Sequence, residues 1–112
     1  MAILTQKKND ILIILIDYER ATVTISEEFN SIIKHEIAFG GRNFIVDLSE
    51  CEFIDSTFLS ALVSSFKKIV EVGGDLKIFG LKPAVNSMFQ LTRLSKVFDI
   101  YFDQKEALNS FK

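Results

Sequence analysis

Three polar side chains in a row, Asp55, Ser56 and Thr57, stand where the short apolar pair Phe53-Ile54 gives way to a helical pattern that begins at Leu59. A hydroxyl placed directly after a carboxylate at the head of a helix can do one of two things. It can cap the helix by accepting from the free amides of the first turn. Alternatively, it can be displayed as a phosphoryl acceptor, where a charge of about −1.5 to −2 would alter any surface that contacts another protein. Asp55 has the same two options, capping the helix or orienting the neighbouring hydroxyl. Thr57 is a secondary acceptor candidate, with a solvated first-turn hydroxyl as its plain alternative. Phe58 either packs inward or anchors a partner.

Elsewhere the residue types argue against catalysis. The chain holds one His and one Cys, with no HExxH and no paired metal-ligand spacing, so no catalytic residue, metal or cofactor is expected. The glycine pairs Gly40-Gly41 and Gly73-Gly74 follow helical patterns, whereas a phosphate cradle must precede one; they read as stops. His35, between Lys34 and Glu36, belongs to a solvated face. Cys51, between Glu50 and Glu52, has no basic sequence neighbour to activate its thiol. The 11 Phe residues are not interleaved with cations and the net charge is −2, which excludes a nucleic-acid platform. No apolar run approaches the roughly 18 residues that span a bilayer, and the N-terminus lacks a signal-peptide layout. A protein that is not membrane-embedded, in the reducing cytoplasm, is expected.

Positioning Asp55 to Phe58 requires a scaffold, and 112 residues bound it to one domain over residues 1–112. Ala2 to Thr5 and Ile11 to Asp17 are apolar strands around a turn at Lys7-Lys8-Asn9-Asp10. Thr24 and Glu27 have capping-box spacing, and Ile25, Phe29, Ile32, Ile33 and Ile37 follow as one helical face. Phe44 to Leu48 is a buried strand. Leu59, Leu62, Val63, Phe66, Ile69 and Val70 give the second helix its apolar stripe. Leu76 to Phe79 is a strand, and Pro83 opens a third helix lined by Val85, Met88, Phe89 and Leu91. Phe98 to Phe102 is the last strand, and Gln104 to Phe111 a terminal helix with Ala107, Leu108 and Phe111 inward. The order predicts an α/β fold: a mixed sheet of about five strands with about four helices packed on it.

The stretch from Asp47-Leu48-Ser49 through Phe53-Ile54-Asp55-Ser56-Thr57 to Leu59 resembles the signature of STAS domains, in particular the anti-sigma factor antagonists. The likeness continues through Gly73-Gly74, Leu76 to Phe79, Pro83-Ala84-Val85, Phe98 and Ala107-Leu108. It implies that Ser56 is phosphorylated by a partner that is both a serine kinase and an anti-sigma factor, that phosphorylation releases the partner, and that a PP2C-type phosphatase restores the binding state. Asp55, Ser56, Thr57 and Phe58, with the exposed side of the second helix's first turns, would form the contact patch. Three positions depart from the family pattern. Phe58 and Arg93 stand where the family has glycine, and Glu19-Arg20-Ala21-Thr22 replaces its Gly-x-Leu-Asp stretch. Phe58 beside the acceptor favours an alternative: an accessory STAS subunit of a membrane transporter, docking on a cytoplasmic ATPase without phosphorylation.

Overall fold

Asn9 and Asp10 both take positive φ, 50° and 67°. Such a pair makes the two-residue turn whose twist matches paired strands, and it folds β1 (Ala2–Lys8) back on β2 (Ile11–Asp17) in antiparallel register. The turn is therefore shorter than expected, because Lys7 and Lys8 continue the ladder opposite Leu12 and Ile11. β1 is an edge strand, and its lysines reach partners beside it: Lys7 pairs with Glu36 at 2.7 Å and Lys8 donates to the Gln104 side-chain oxygen at 2.9 Å. The structure, a computed structural model, describes residues 1–111.

From β2 onward the pairing is parallel. β2 pairs with β4 (Asn43–Asp47), β4 with β6 (Asp75–Phe79), and β6 with β7 (Asp99–Tyr101), giving the order β1-β2-β4-β6-β7. Four helices, α1 (Val23–Ala38), α2 (Ser56–Glu71), α3 (Pro83–Leu91) and α4 (Gln104–Asn109), complete the α/β architecture read from the sequence. The alternation of each strand divides its apolar residues between two layers. Leu12, Ile14 and Ile16 of β2 meet Phe29 and Ile33 of α1, Leu62 and Ile69 of α2, and Phe89 of α3. Ile11, Ile13, Ile45 and Phe79 face the other way, against Ala107 of α4.

Several boundaries shift. Phe98 lies in the core before β7, and Phe102 is exposed beyond it, so the last strand is shorter than Phe98 to Phe102. Leu91, expected inward, is 82% exposed at the end of α3, and Val70 also faces solvent. Both stand at the margin of an apolar stripe, where helical spacing alone leaves a residue's direction open. α4 ends at Asn109, short of Phe111. Gly40 and Gly73 leave α1 and α2 through positive φ, 96° and 84°, as stop glycines do.

One charged side chain of the sheet is covered by its neighbours. Lys77 of β6 is buried and bridges Asp75 at 3.0 Å and Asp99 at 2.8 Å. Burial is the largest single influence and pulls its pKa down, but the hydrogen bonds to Asp99 and Asp75 and their charges together raise it above the ordinary lysine value.

Candidate functional site

The segment that carries Asp55 is held by a second, two-stranded sheet that is too short for any periodicity to reveal. β3 (Arg20–Ala21) runs parallel to β5 (Phe53–Ile54). The amides of Glu52 and Phe53 donate to the Glu19 carbonyl at 2.7 and 3.1 Å, and the Asp55 amide donates to the Ala21 carbonyl at 3.0 Å. The Arg20 guanidinium lies 4.4 Å from the centre of the Phe53 ring, a cation–π contact over this ladder. Thus the stretch Glu19-Arg20-Ala21-Thr22 contains the strand that fixes the approach to α2.

Asp55 enters α2 in extended conformation as its N-cap, and its Oδ1 accepts from the Phe58 amide at 2.8 Å. Its Oδ2 accepts from the Val23 amide, the first of α1, at 3.1 Å. One carboxylate therefore satisfies free amides at the heads of two helices, where its negative charge also suits both helix dipoles. The capping box expected at Thr24 and Glu27 is not formed. α1 begins at Val23, Thr22 is its N-cap residue without a side-chain cap bond, and the Thr24 hydroxyl lies 2.9 Å from that of Thr22. The acceptor comes instead from 32 residues downstream, beyond the reach of a local pattern.

With the cap supplied by Asp55, Ser56 and Thr57 are the first two residues of α2, and both are exposed. Phe58 corrects an expectation. It is fully buried, its ring 5.4 Å from that of Phe29, so it joins α2 to α1 in the core and takes no part in a surface patch. Burying such a side chain stabilises by about 1.5–3 kcal/mol. Because the ring turns inward, it does not cover Ser56.

An apolar groove of about 430 Å³ runs along α2 from Ser56, between Leu59, Val63 and Lys67 on one side and Thr92 and Leu94 on the other. Periodicity along the chain does not reveal it, because it joins α2 to the 3-10 turn Leu94–Lys96, roughly 30 residues later. The residue before that turn, Arg93, has φ 63° and ψ 14°, the left-handed conformation that glycine adopts without strain. Lys67 is the charged residue among those that line the groove. Ser56 to Val70 contains Lys67 and Lys68 but no Asp or Glu, and Pro83 to Phe98 contains Arg93 and Lys96 but likewise no acid.

The remaining titratable candidates lie apart from this surface. Cys51 is buried, its Sγ 3.7 Å from the Ile16 carbonyl oxygen. Burial first, then the charge of Asp47, pushes the thiol up to about 12 against the pull of Lys82. Lys82 itself reaches Glu52 at 2.9 Å. His35 is exposed, 4.7 Å from the Phe39 ring. Among the described residues no three His, Cys, Asp or Glu side chains converge as a metal site, and no helix is long and apolar enough to cross a membrane.

Comparison with known proteins agrees with this geometry. The family model described as the STAS domain matches residues 2–107. The sequence is 34% identical over 55 residues to an anti-sigma-B factor antagonist of Listeria monocytogenes; the match takes in 49% of this chain and 48% of that relative, about half its length. The crystal structure of an anti-sigma factor antagonist from Mycobacterium paratuberculosis superposes with a TM-score of 0.86 at 21% identity, covering 97% of this chain and 92% of that one. The structure of the Bacillus cell fate determinant SpoIIAA in its phosphorylated form gives 0.77 at 16% identity, covering 99% and 100%. At these identities the two structures share the fold.

Proposed function

This chain belongs to the STAS domain family, and we propose that it acts as an anti-sigma factor antagonist. In this reading it is a non-enzymatic protein that binds a partner serving as serine kinase and anti-sigma factor, and phosphorylation of Ser56 switches it off. A PP2C-type phosphatase would restore the binding state, and Thr57 is a secondary acceptor.

The observation that carries the reading is the division of labour between neighbours. Asp55 caps α2, so the exposed Ser56 hydroxyl is not consumed by the fold. A phosphate there would meet free first-turn amides and a favourable helix dipole, worth on the order of 0.3–1 kcal/mol, so the domain would tolerate it. Across an interface the same dianion must be desolvated, which opposes binding. Support also comes from a Listeria relative named as an anti-sigma-B factor antagonist and a structural neighbour described in a phosphorylated form. The transporter-accessory alternative drew on an aromatic crowding Ser56; with Phe58 turned into the core, that argument lapses.

The test is direct. The purified protein is incubated with a candidate kinase and ATP, the product is mapped by mass spectrometry, and Ser56→Ala and Ser56→Asp are compared in a pull-down with that kinase. Phosphate on Ser56, retained binding by Ser56→Ala and lost binding by Ser56→Asp are expected. A wild type that never gains phosphate, with both variants binding equally well, would overturn the reading.

A further inference from the structure

We propose that the groove along α2 receives an acidic amphipathic helix of the protein partner, its apolar side chains seated between Leu59, Val63 and Leu94 and its carboxylates against Lys67, Arg93 and Lys96. The proposal rests on the reading of this chain as a partner-binding switch and adds the chemistry of the occupant.

Charge is the first support. The chain as a whole carries a formal charge of −2, yet the two segments that flank the groove hold four cations, Lys67, Lys68, Arg93 and Lys96, and no acid from Ser56 to Val70 or from Pro83 to Phe98. The carboxylates that bound α2 are Asp55 at its head, held by the Phe58 and Val23 amides, and Glu71 at its far end. Among the described residues none of these four cations forms an ion pair, whereas Lys7, Lys77 and Lys82 do. A surface with one sign of charge on a protein of the opposite net sign selects partners of complementary charge.

Shape is the second. The groove is concave and lined chiefly by apolar atoms, about 430 Å³, room for a few side chains and not for a whole helix. An apolar floor with Lys67 in its wall and further cations on the adjoining segments matches a helix that lies across the opening and inserts anchors from successive turns. A membrane surface would instead be met by a protruding apolar face, and a nucleotide by polar groups on the floor.

The backbone at Arg93 is the third. A non-glycine residue held at φ 63° stores strain, and such positions persist where the surrounding structure over-determines them. Arg93 is exposed and stands in the chain between Thr92 and Leu94, which both line the groove. Ser56 stands at the mouth of the same groove. A phosphate there would face the carboxylates of the occupant, so release follows from repulsion between like charges.

The test can be run before the partner is identified. A phage-displayed library of helical peptides about four turns long is panned on the full chain, and the binders are then compared on Ser60→Glu, an exposed change in the groove wall. Enriched sequences should carry apolar residues at i, i+3 or i+4 and i+7 with net negative charge. A synthetic peptide from that set should bind at least about tenfold more weakly to Lys67→Glu and to Arg93→Glu, and more weakly still to Ser56→Asp or in roughly 0.5 M salt. Circular dichroism verifies that each variant is folded. The proposal is overturned by a library that yields no binder, by binders without acidic bias, or by binding indifferent to Ser60→Glu. It is also overturned if vesicles containing phosphatidylglycerol, run alongside, sediment the wild type and not Ser60→Glu. Phosphate mapped to Ser56 without acidic binders leaves the switch and removes the groove; acidic binders without phosphorylation do the reverse.

Discussion

Asp55 and Val23 are 32 residues apart in sequence and joined by a 3.1 Å hydrogen bond, from the first amide of α1 to the same carboxylate that caps α2. A single cap is worth typically about 1 kcal/mol, and hydrogen bonds to charged groups run higher. Asp55→Ala is therefore expected to cost about 2–3 kcal/mol. Asp55→Asn, with one carbonyl oxygen for two amides, should cost about half of that. Urea unfolding followed by far-ultraviolet circular dichroism measures both. An Asp55→Ala change within about 0.5 kcal/mol of wild type would show that the two helix heads do not depend on this side chain.

Phe58 distinguishes core from contact. Truncation to Ala is expected to destabilise by about 3–5 kcal/mol, because the ring fills space against Phe29 that neighbours cannot close. Phe58→Leu should cost less and leave partner affinity at the wild-type level, since no part of the ring reaches the surface. An affinity loss with Phe58→Leu in a folded protein would return this residue to the interface.

Arg93 should trade stability against binding. Arg93→Gly relieves a left-handed backbone and is expected to raise stability by about 1 kcal/mol, read as a higher urea midpoint at unchanged slope. The same variant should bind an acidic helical peptide less well than wild type. A variant less stable than wild type would mean that the arginine side chain contributes more to the fold than its backbone costs.

How far all of this was legible follows the range of each signal. The faces Ile25-Phe29-Ile33 and Leu59-Leu62-Ile69 announce their helices because burial repeats at 3.6 residues. The same periodicity misplaces Leu91 and Val70, since a stripe's edge is decided by what packs over it. β3 and β5 span two residues each, shorter than one alternation can register. Thr24 and Glu27 satisfy a local capping pattern that a distant carboxylate made unnecessary. Ser56 was legible as a helix-head hydroxyl, but its freedom from capping, and the groove beside it, depend on contacts between segments far apart in the chain.

The buried thiol makes an alkaline prediction. The ordinary pKa of Cys51 is 9.0, and in the folded protein it rises to about 12. Below pH 9 both states keep the proton, so that contribution is fully present. As pH climbs toward 12, the unfolded chain releases it and the native state does not, and stability falls. The raised pKa of Lys77 adds a loss at still higher pH. Urea midpoints should therefore decline between about pH 9 and 11, and Cys51→Ala should flatten the first part of that decline. At roughly pH 8 burial keeps the native thiol protonated and out of reach, so a disulfide reagent should label Cys51 only through opening of the protein. Immediate stoichiometric labelling of the native protein would contradict the burial.

The two-residue turn Asn9-Asp10 joins β1 to β2 at the end of the sheet where the parallel strands begin, while Ser56 lies beyond the end where they finish. That arrangement offers a practical handle. A fluorophore or affinity tag grafted at the tip would ride on the molecule a strand's length from the switch, free to report on docking without colliding with whatever docks.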